Sequence, residues 1–277
     1  MIIYKNTFKD TRVLNIDFPI EDQYYASGNI AVVADGITRD PIGISDFSLV
    51  SPKELLDKYP NPSGAELAAK AIIESFHDFK GDLKQHLIYA NKKVKTLNDA
   101  NISECDYLQN DYYGAVASCA YIDNNILHWA YICDCGIIVF DSLGNNKFQT
   151  DDDKEKTSDP YINNTIGTTW NLPESRVIVR RDYRNNINNI QDGKCVSYGA
   201  ITGEENAINF IKAGSLELQK DDIVIIYTDG FRSYLHEKDF IDQILNFNQN
   251  TFEIYIEEKR KMDYRKYGKE RSLVIMK

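Results

Sequence analysis

The amino-acid sequence predicts an α/β (α+β) sandwich with predominantly antiparallel sheets. Three observations carry this. The pattern runs strands, a helix pair, strands, helices and a last strand, rather than alternating as parallel βαβ units. Two apolar runs, Ile30-Ala31-Val32-Val33-Ala34 and Ile223-Val224-Ile225-Ile226-Tyr227, read as buried strands, and each leads to an Asp-Gly pair. Hydrophobic residues make up 43% of the 277, enough for a sizeable core and against disorder. No repeat, low-complexity tract or linker divides the chain, so 1–277 reads as one domain, with an irregular, flap-like insertion around 160–200.

The elements follow in order. Residues 2–4, 12–16 and 23–25 read as short strands, the third leading into the run that ends at Asp35. Gly36 reads as a sharp turn that aims its carbonyl the same way as the Asp35 carboxylate. Residues 38–61 form a loop-rich stretch around Pro41, Pro52 and Pro60, with one short helix over 52–59. Ser63 is an N-cap and Glu66 completes a capping box. Leu67, Ala71, Ile72, Ser75 and Phe76 then share one helical face. Gly81-Asp82 breaks the chain, and Leu83, Leu87, Ala90, Asn91, Val94 and Leu97 mark a second helix. The short link predicts an antiparallel pair packed on a sheet.

Strands are predicted over 114–121, 126–132 and 137–140, with Asp134 in the turn between the last two. Residues 141–146 read as a turn and 150–159 as a charged loop. Residues 163–201 show no clear period; their Arg176, Arg180, Arg181 and Arg184 read either as a solvated face or as contacts to an anionic substrate. Strands over 210–218 and 222–228, helices over 237–247 and 252–264, and a strand over 271–276 complete the chain.

The formal charge of −10 argues against nucleic acid or an anionic membrane as the main partner and suits solubility. The five cysteines are odd in number and form no Cys-x-x-Cys; Cys133 and Cys135 lack zinc-site spacing. They read as reduced and structural, which predicts a cytoplasmic protein. The first ten residues lack a signal-peptide core, and no apolar run approaches a membrane span.

Two buried strands that each lead to Asp-Gly bring two carboxylates to the rim of one core, as a hard divalent cation requires. Asp-Gly also ends ordinary hairpins, and Glu21-Asp22, just before a strand, also reads as a solvated turn.

The order of motifs carries a resemblance. Glu21-Asp22 precedes a strand, and Val33-Ala34-Asp35-Gly36 follows. Tyr89-Ala90-Asn91 lies in the helix pair. Gly114-Ala115-Val116-Ala117 leads to Cys133-Asp134-Cys135, and Asp221-Asp222-Ile223 runs through to Thr228-Asp229-Gly230. Over nearly its whole length the chain resembles the metal-dependent, 2C-type serine/threonine protein phosphatases. The resemblance implies two packed antiparallel sheets flanked by helix pairs, with two Mn²⁺ or Mg²⁺ ions at one end and a more weakly held third. Residue by residue, it implies that Asp35 bridges both ions, the Gly36 carbonyl binds one, and Asp229 the other. It places Asp134 on the third ion. Asp22 acts through bound water, with Glu21 as its alternate. The implied reaction is attack of a metal-activated water on a phosphoprotein monoester, with no side-chain nucleophile. His77, His86, His128 and His236 stand outside every motif, which disfavours a histidine-dependent phosphatase.

Three departures stand out. The family's Asp-Gly-x-Gly-Gly continues here as Ile37-Thr38-Arg39-Asp40. The phosphate-binding arginine that usually lies shortly before the acid pair is missing, leaving Arg12 further back and Arg39 as the candidates for that role. Near the last strand, aligning Ser272 with the family's hydroxyl puts Lys269 in the place of a ligand Asp, whereas a shift of one residue puts Glu270 there. If Glu270 coordinates, Lys269 points to solvent; if Lys269 faces the site, its ammonium takes the metal's place. The expected function is a metal-dependent phosphatase with a phosphoprotein substrate and a cognate kinase as partners. The alternative is a pseudophosphatase serving as a binding or regulatory module.

Overall fold

The computed structural model describes residues 1–11, 18–37, 51–169 and 172–277. The strands are β1 (Ile2–Phe8), β2 (Gln23–Ser27), β3 (Ile30–Gly36), β4 (Ala115–Asp123), β5 (Ile126–Ile132), β6 (Gly136–Phe140), β7 (Asn146–Gln149), β8 (Ile190–Gln191), β9 (Lys194–Cys195), β10 (Lys212–Glu217), β11 (Ile223–Tyr227) and β12 (Arg271–Met276). They form two five-stranded sheets, ordered β1-β12-β11-β6-β7 and β10-β5-β4-β3-β2, and a small β8-β9 ribbon. Neighbouring strands pair antiparallel. The helices are α1 (Pro52–Lys58), α2 (Gly64–Ser75), α3 (Leu83–Asn101), α4 (Asp159–Ile166), α5 (Pro173–Ile178), α6 (Lys238–Leu245), α7 (Gln249–Met262) and α8 (Tyr264–Tyr267). The α/β sandwich of two antiparallel sheets with helices around them is the architecture expected. Among the described residues no helix is long and apolar enough to cross a membrane.

The two-residue period of a strand builds the sandwich. Val224 and Ile226 of β11, Val274 and Met276 of β12, and Ile137 and Val139 of β6 join one core with β3 and β4. The alternate residues Ile225, Tyr227, Leu273, Ile275, Ile138 and Phe140 enter a second core with Phe240, Ile244, Phe252 and Ile256 of α6 and α7. Both faces of the first sheet are therefore buried, which explains the uninterrupted apolar run of β11.

On the other side, Ser63 Oγ caps α2 by accepting the Glu66 N–H at 3.0 Å. Asp82 caps α3 by accepting the Gln85 N–H, also at 3.0 Å. The buried face of α2 carries Ala65, Ala68 and Ala69, small enough to bring the helix onto β3. A Cβ at Gly36 would lie 2.9 Å from the Ala65 carbonyl oxygen. Gly36 therefore serves close approach and not a sharp turn: Asp35 and Gly36 remain in β3, paired with Val116 and Ala115 of β4.

The structure departs from the sequence reading mainly between 146 and 201. β7 follows the 141–146 turn. Most of the charged stretch after Thr150 is helical, with a wide turn over Lys154–Ser158 leading into α4. The region read as irregular holds α4, α5, a second wide turn over Val179–Tyr183 and the β8-β9 ribbon. These pieces are too short for a 3.6-residue period to emerge. Its arginines are not one solvated face. The Arg184 side chain is 1% exposed, and its guanidinium donates to both Asp111 oxygens, at 2.7 and 3.2 Å. Arg180 Nε lies 3.2 Å from the same carboxylate. The pairing joins residues 73 apart in sequence, so no local pattern reveals it. The predicted strand over 12–16 lies outside the described residues.

Glu237, the cap residue before α6, ties three helices together. It accepts from Lys259 Nζ of α7 at 2.7 Å, and from Lys266 Nζ and Tyr267 Oη of α8 at 3.0 and 2.5 Å. The Lys259, Tyr267 and Lys266 hydrogen bonds pull its pKa down to about 2 from 4.5. The lowered value means that this contribution is full above about 4.5 and is lost as pH falls toward about 2. Glu237→Gln is expected to lower Tm at neutral pH by about 2–4 °C. The gap to wild type should close as pH falls through that window, as thermal melts across pH will show.

Candidate active site

Strands β3 and β11 come from different sheets, and their C-terminal ends meet at one edge of the core. There a cavity of about 280 Å³ is lined by Glu21, Asp22, Asp35, Gly36, Asp134, Asp229 and Glu270. Every carboxylate singled out in the sequence for metal or catalysis thus borders one space. Arg12 and Arg39, the arginine candidates for phosphate, lie outside the described residues.

Each acid is held by a definite local structure. Asp35 is the penultimate residue of β3. Asp22 is 3% exposed, so the acid pair is not a solvated turn, and its Oδ2 accepts from Thr228 Oγ1 at 2.6 Å. Thr228 Oγ1 in turn accepts the Ser272 N–H at 2.8 Å, and the Thr228 N–H donates to the Ser272 carbonyl at 3.0 Å. One hydroxyl therefore joins Asp22, the end of β11 and the start of β12. Glu270 Oε1 accepts the N–H groups of both Glu21 and Asp22 at 2.6 Å, fixing the acid pair from below. Glu21 Oε1 accepts from the hydroxyls of Tyr59, at 2.6 Å, and Ser63. Asp134 sits in the β5–β6 turn beside Cys133, whose φ of 69° is left-handed. The Asp134 carbonyl accepts from Arg232 Nη2 at 3.0 Å, and Arg232 also pairs with Asp152.

Crowding shows in the proton affinities. Burial raises the Asp35 pKa well above the usual range, and Asp22, Asp229, Asp134 and Glu270 raise it further. Burial and Asp229 push Asp22 up, against the Thr228, Ser272 and Asp35 hydrogen bonds that lower it. Burial and Asp22 push Glu270 up, against its two backbone donors. Such a set gains by taking up positive charge. Its donors are carboxylate and carbonyl oxygens, the ligand chemistry of Mg²⁺ or Mn²⁺, and no histidine lines the cavity. Burial raises the thiol pKa of Cys133 and Cys135, which keeps both as neutral SH groups and not nucleophiles.

Among the described residues two cations, Lys269 and Lys154, line the same cavity, and neither orientation follows from the sequence. Lys269 Nζ is 2.9 Å from Asp229 Oδ2. Lys154 also lines the cavity, its Nζ 5.8 Å from the Tyr198 ring centre. Burial works most strongly against the Lys154 charge, but Asp134 and the other acidic groups around it together outweigh burial and raise the pKa. No group of three or more His, Cys, Asp or Glu among the described residues is arranged to hold a metal ion as it stands. Thr228 was legible only as part of its Thr-Asp-Gly motif. Lys154 left no signal, because it comes from the stretch whose helical turn is hidden.

The chain matches no protein-family model and no curated protein sequence. Solved structures do share its fold. The Mycobacterium tuberculosis serine/threonine phosphatase PstP/Ppp aligns over 98% of this chain and 96% of its own, with a TM-score of 0.58 and 14% identity. The catalytic domain of PstP in complex with two manganese ions aligns over 98% and 95%, with 0.57 and 15%. A serine/threonine phosphatase from S. agalactiae aligns over 98% and 96%, with 0.55 and 14%.

Replacing Thr228 with Val removes the donor to Asp22 and the acceptor for Ser272 while keeping the shape. Thr228→Val is expected to cost about 1–3 kcal/mol, because buried polar groups lose their partners. Urea unfolding of the two proteins measures this.

Proposed function

We propose that this chain, which has the fold of the 2C-type protein phosphatases, is itself a Mg²⁺- or Mn²⁺-dependent phosphatase of phosphoserine or phosphothreonine in a protein. The observation that carries the reading is the convergence of Asp22, Asp35, Asp134, Asp229 and Glu270 on one cavity at the edge between the sheets. Its partners would be a phosphoprotein and the kinase that phosphorylates it.

Asp35, the Gly36 carbonyl and Asp134 are the groups suited to hold a divalent ion, with Asp22 and Glu21 acting from beside it. When bound, such an ion lowers the pKa of a water and screens the phosphoryl charge. The chain's own residues prepare that chemistry. Thr228 fixes the Asp22 carboxylate, and Glu270 fixes the backbone that carries it. Asp22 would orient the attacking water through its remaining lone pairs. Lys154 would hold the phosphoryl oxygens, because it is a cation that lines the same cavity as the acids.

A second reading, a pseudophosphatase that binds without hydrolysis, draws support from the Lys269–Asp229 ion pair. Mn²⁺ titration separates the two, since no binding at millimolar metal leaves only the second.

If the enzyme reading holds, Asp35→Asn should reduce Mn²⁺-dependent hydrolysis of an aryl phosphate on the order of 10²–10³-fold with the fold intact. Activity within a few-fold of wild type would remove Asp35 from the site. Lys154→Met should raise KM for the same substrate on the order of 10-fold or more, the worth of a charge-assisted hydrogen bond. Lys154→Arg should recover part of that loss in steady-state assays.

A further inference from the structure

Lys269 meets Asp229 because the backbone leaves it little choice. A Cβ at Gly230 would lie 2.1 Å from the Glu270 carbonyl oxygen and 2.7 Å from Arg271 Cβ. The chain entering β12 is thereby pressed onto the Asp229-Gly230 turn, and only glycine permits that approach. Arg271 also fixes this segment. Its guanidinium is buried against Phe8, Phe231 and Tyr234, at 4.9, 5.9 and 5.7 Å from their ring centres, and its Nη1 donates to the Lys269 carbonyl at 2.7 Å. The next residue, Glu270, has one carboxylate oxygen committed to the N–H groups of Glu21 and Asp22. The two neighbours thus divide the work: Glu270 clamps the acid pair, and Lys269 delivers an ammonium to Asp229.

An ammonium carries three donors and no lone pair, so Lys269 cannot ligate a metal ion. It supplies the other thing an ion would give Asp229, a positive charge at hydrogen-bonding distance. An ion on the same carboxylate would have to displace the ammonium or bear its repulsion. We infer that Lys269 is a built-in cation standing in for one divalent ion at Asp229, so that the cavity takes one ion fewer than its acids would otherwise hold. The identity of the remaining ion's ligands rests on the phosphatase reading above; the substitution at Asp229 rests on the ion pair alone.

Calorimetric titration of the metal-free full chain with MnCl₂ tests this, comparing wild type with Lys269→Asp. The variant is expected to bind one more Mn²⁺ per chain than wild type. Equal numbers in the two proteins would overturn the inference. The wild-type count is a separate readout: a count of zero sinks the phosphatase reading, while a gain in the variant still supports the role of Lys269. Lys269→Met removes the ammonium without adding a ligand and guards against a variant that does not fold. Mn²⁺ should raise its unfolding temperature more than that of wild type, because Asp229 is freed. An equal or smaller rise would overturn the inference as well.

Discussion

Carboxylates that share a space withdrawn from water cannot all stay charged without donors or cations beside them, and the end of the core where β3 and β11 meet is built around that constraint. Thr228 satisfies Asp22, the backbone of Glu21 and Asp22 satisfies Glu270, and Lys269 satisfies Asp229. Lys154 lends its charge near Asp134. Each of these partners belongs to a different element, so the acids also act as a knot joining β2, β11, β12 and the turn before α4. Removing one member of such an arrangement leaves its buried partner unpaired, which costs free energy.

Close backbone approach brings those members together. Gly36 admits the first turn of α2, and Gly230 admits the strand entering β12. Elsewhere the chain accepts strain at residues that are not glycine. Cys133 before Asp134 and Asp221 before Asp222 have φ of 69° and 68°. A left-handed residue that is not glycine costs about 1–2 kcal/mol. At Asp221 that turn ends in Asp222, a buried acid that accepts the Gln219 N–H at 2.8 Å and pairs with Lys147. At Cys133 the turn offers Asp134 to the cavity while the thiol is buried in the core.

The stretch between 150 and 204 forms one wall of the cavity through Lys154 and Tyr198. It is anchored from outside by the Asp111 carboxylate that pairs with Arg180 and Arg184. Asn91 of α3 adds to this, its side-chain amide bonding the Glu204 carbonyl at 3.0 Å and the Gly203 N–H at 2.8 Å. Among the described residues of this stretch, Lys154 is the cation that lines the cavity.

Apolar periodicity in the sequence sets the strands and helices, the sandwich they form, and the acids that stand at the ends of its buried runs. Asp35 and Asp229 were legible because each lies at the C-terminal end of a buried apolar run, so local pattern and position at the core edge coincide. The acid pair 21–22 and Asp134 became legible only through the order of motifs. Tertiary structure alone decided what the glycines are for, because close approach involves a partner distant in sequence: Ala65 for Gly36, Glu270 for Gly230. It alone buried Arg184 on Asp111, turned Lys154 inward, and aimed Lys269 at Asp229. A charged side chain reads the same in sequence whether it meets water or a carboxylate, and the choice is made by which backbone packs against which.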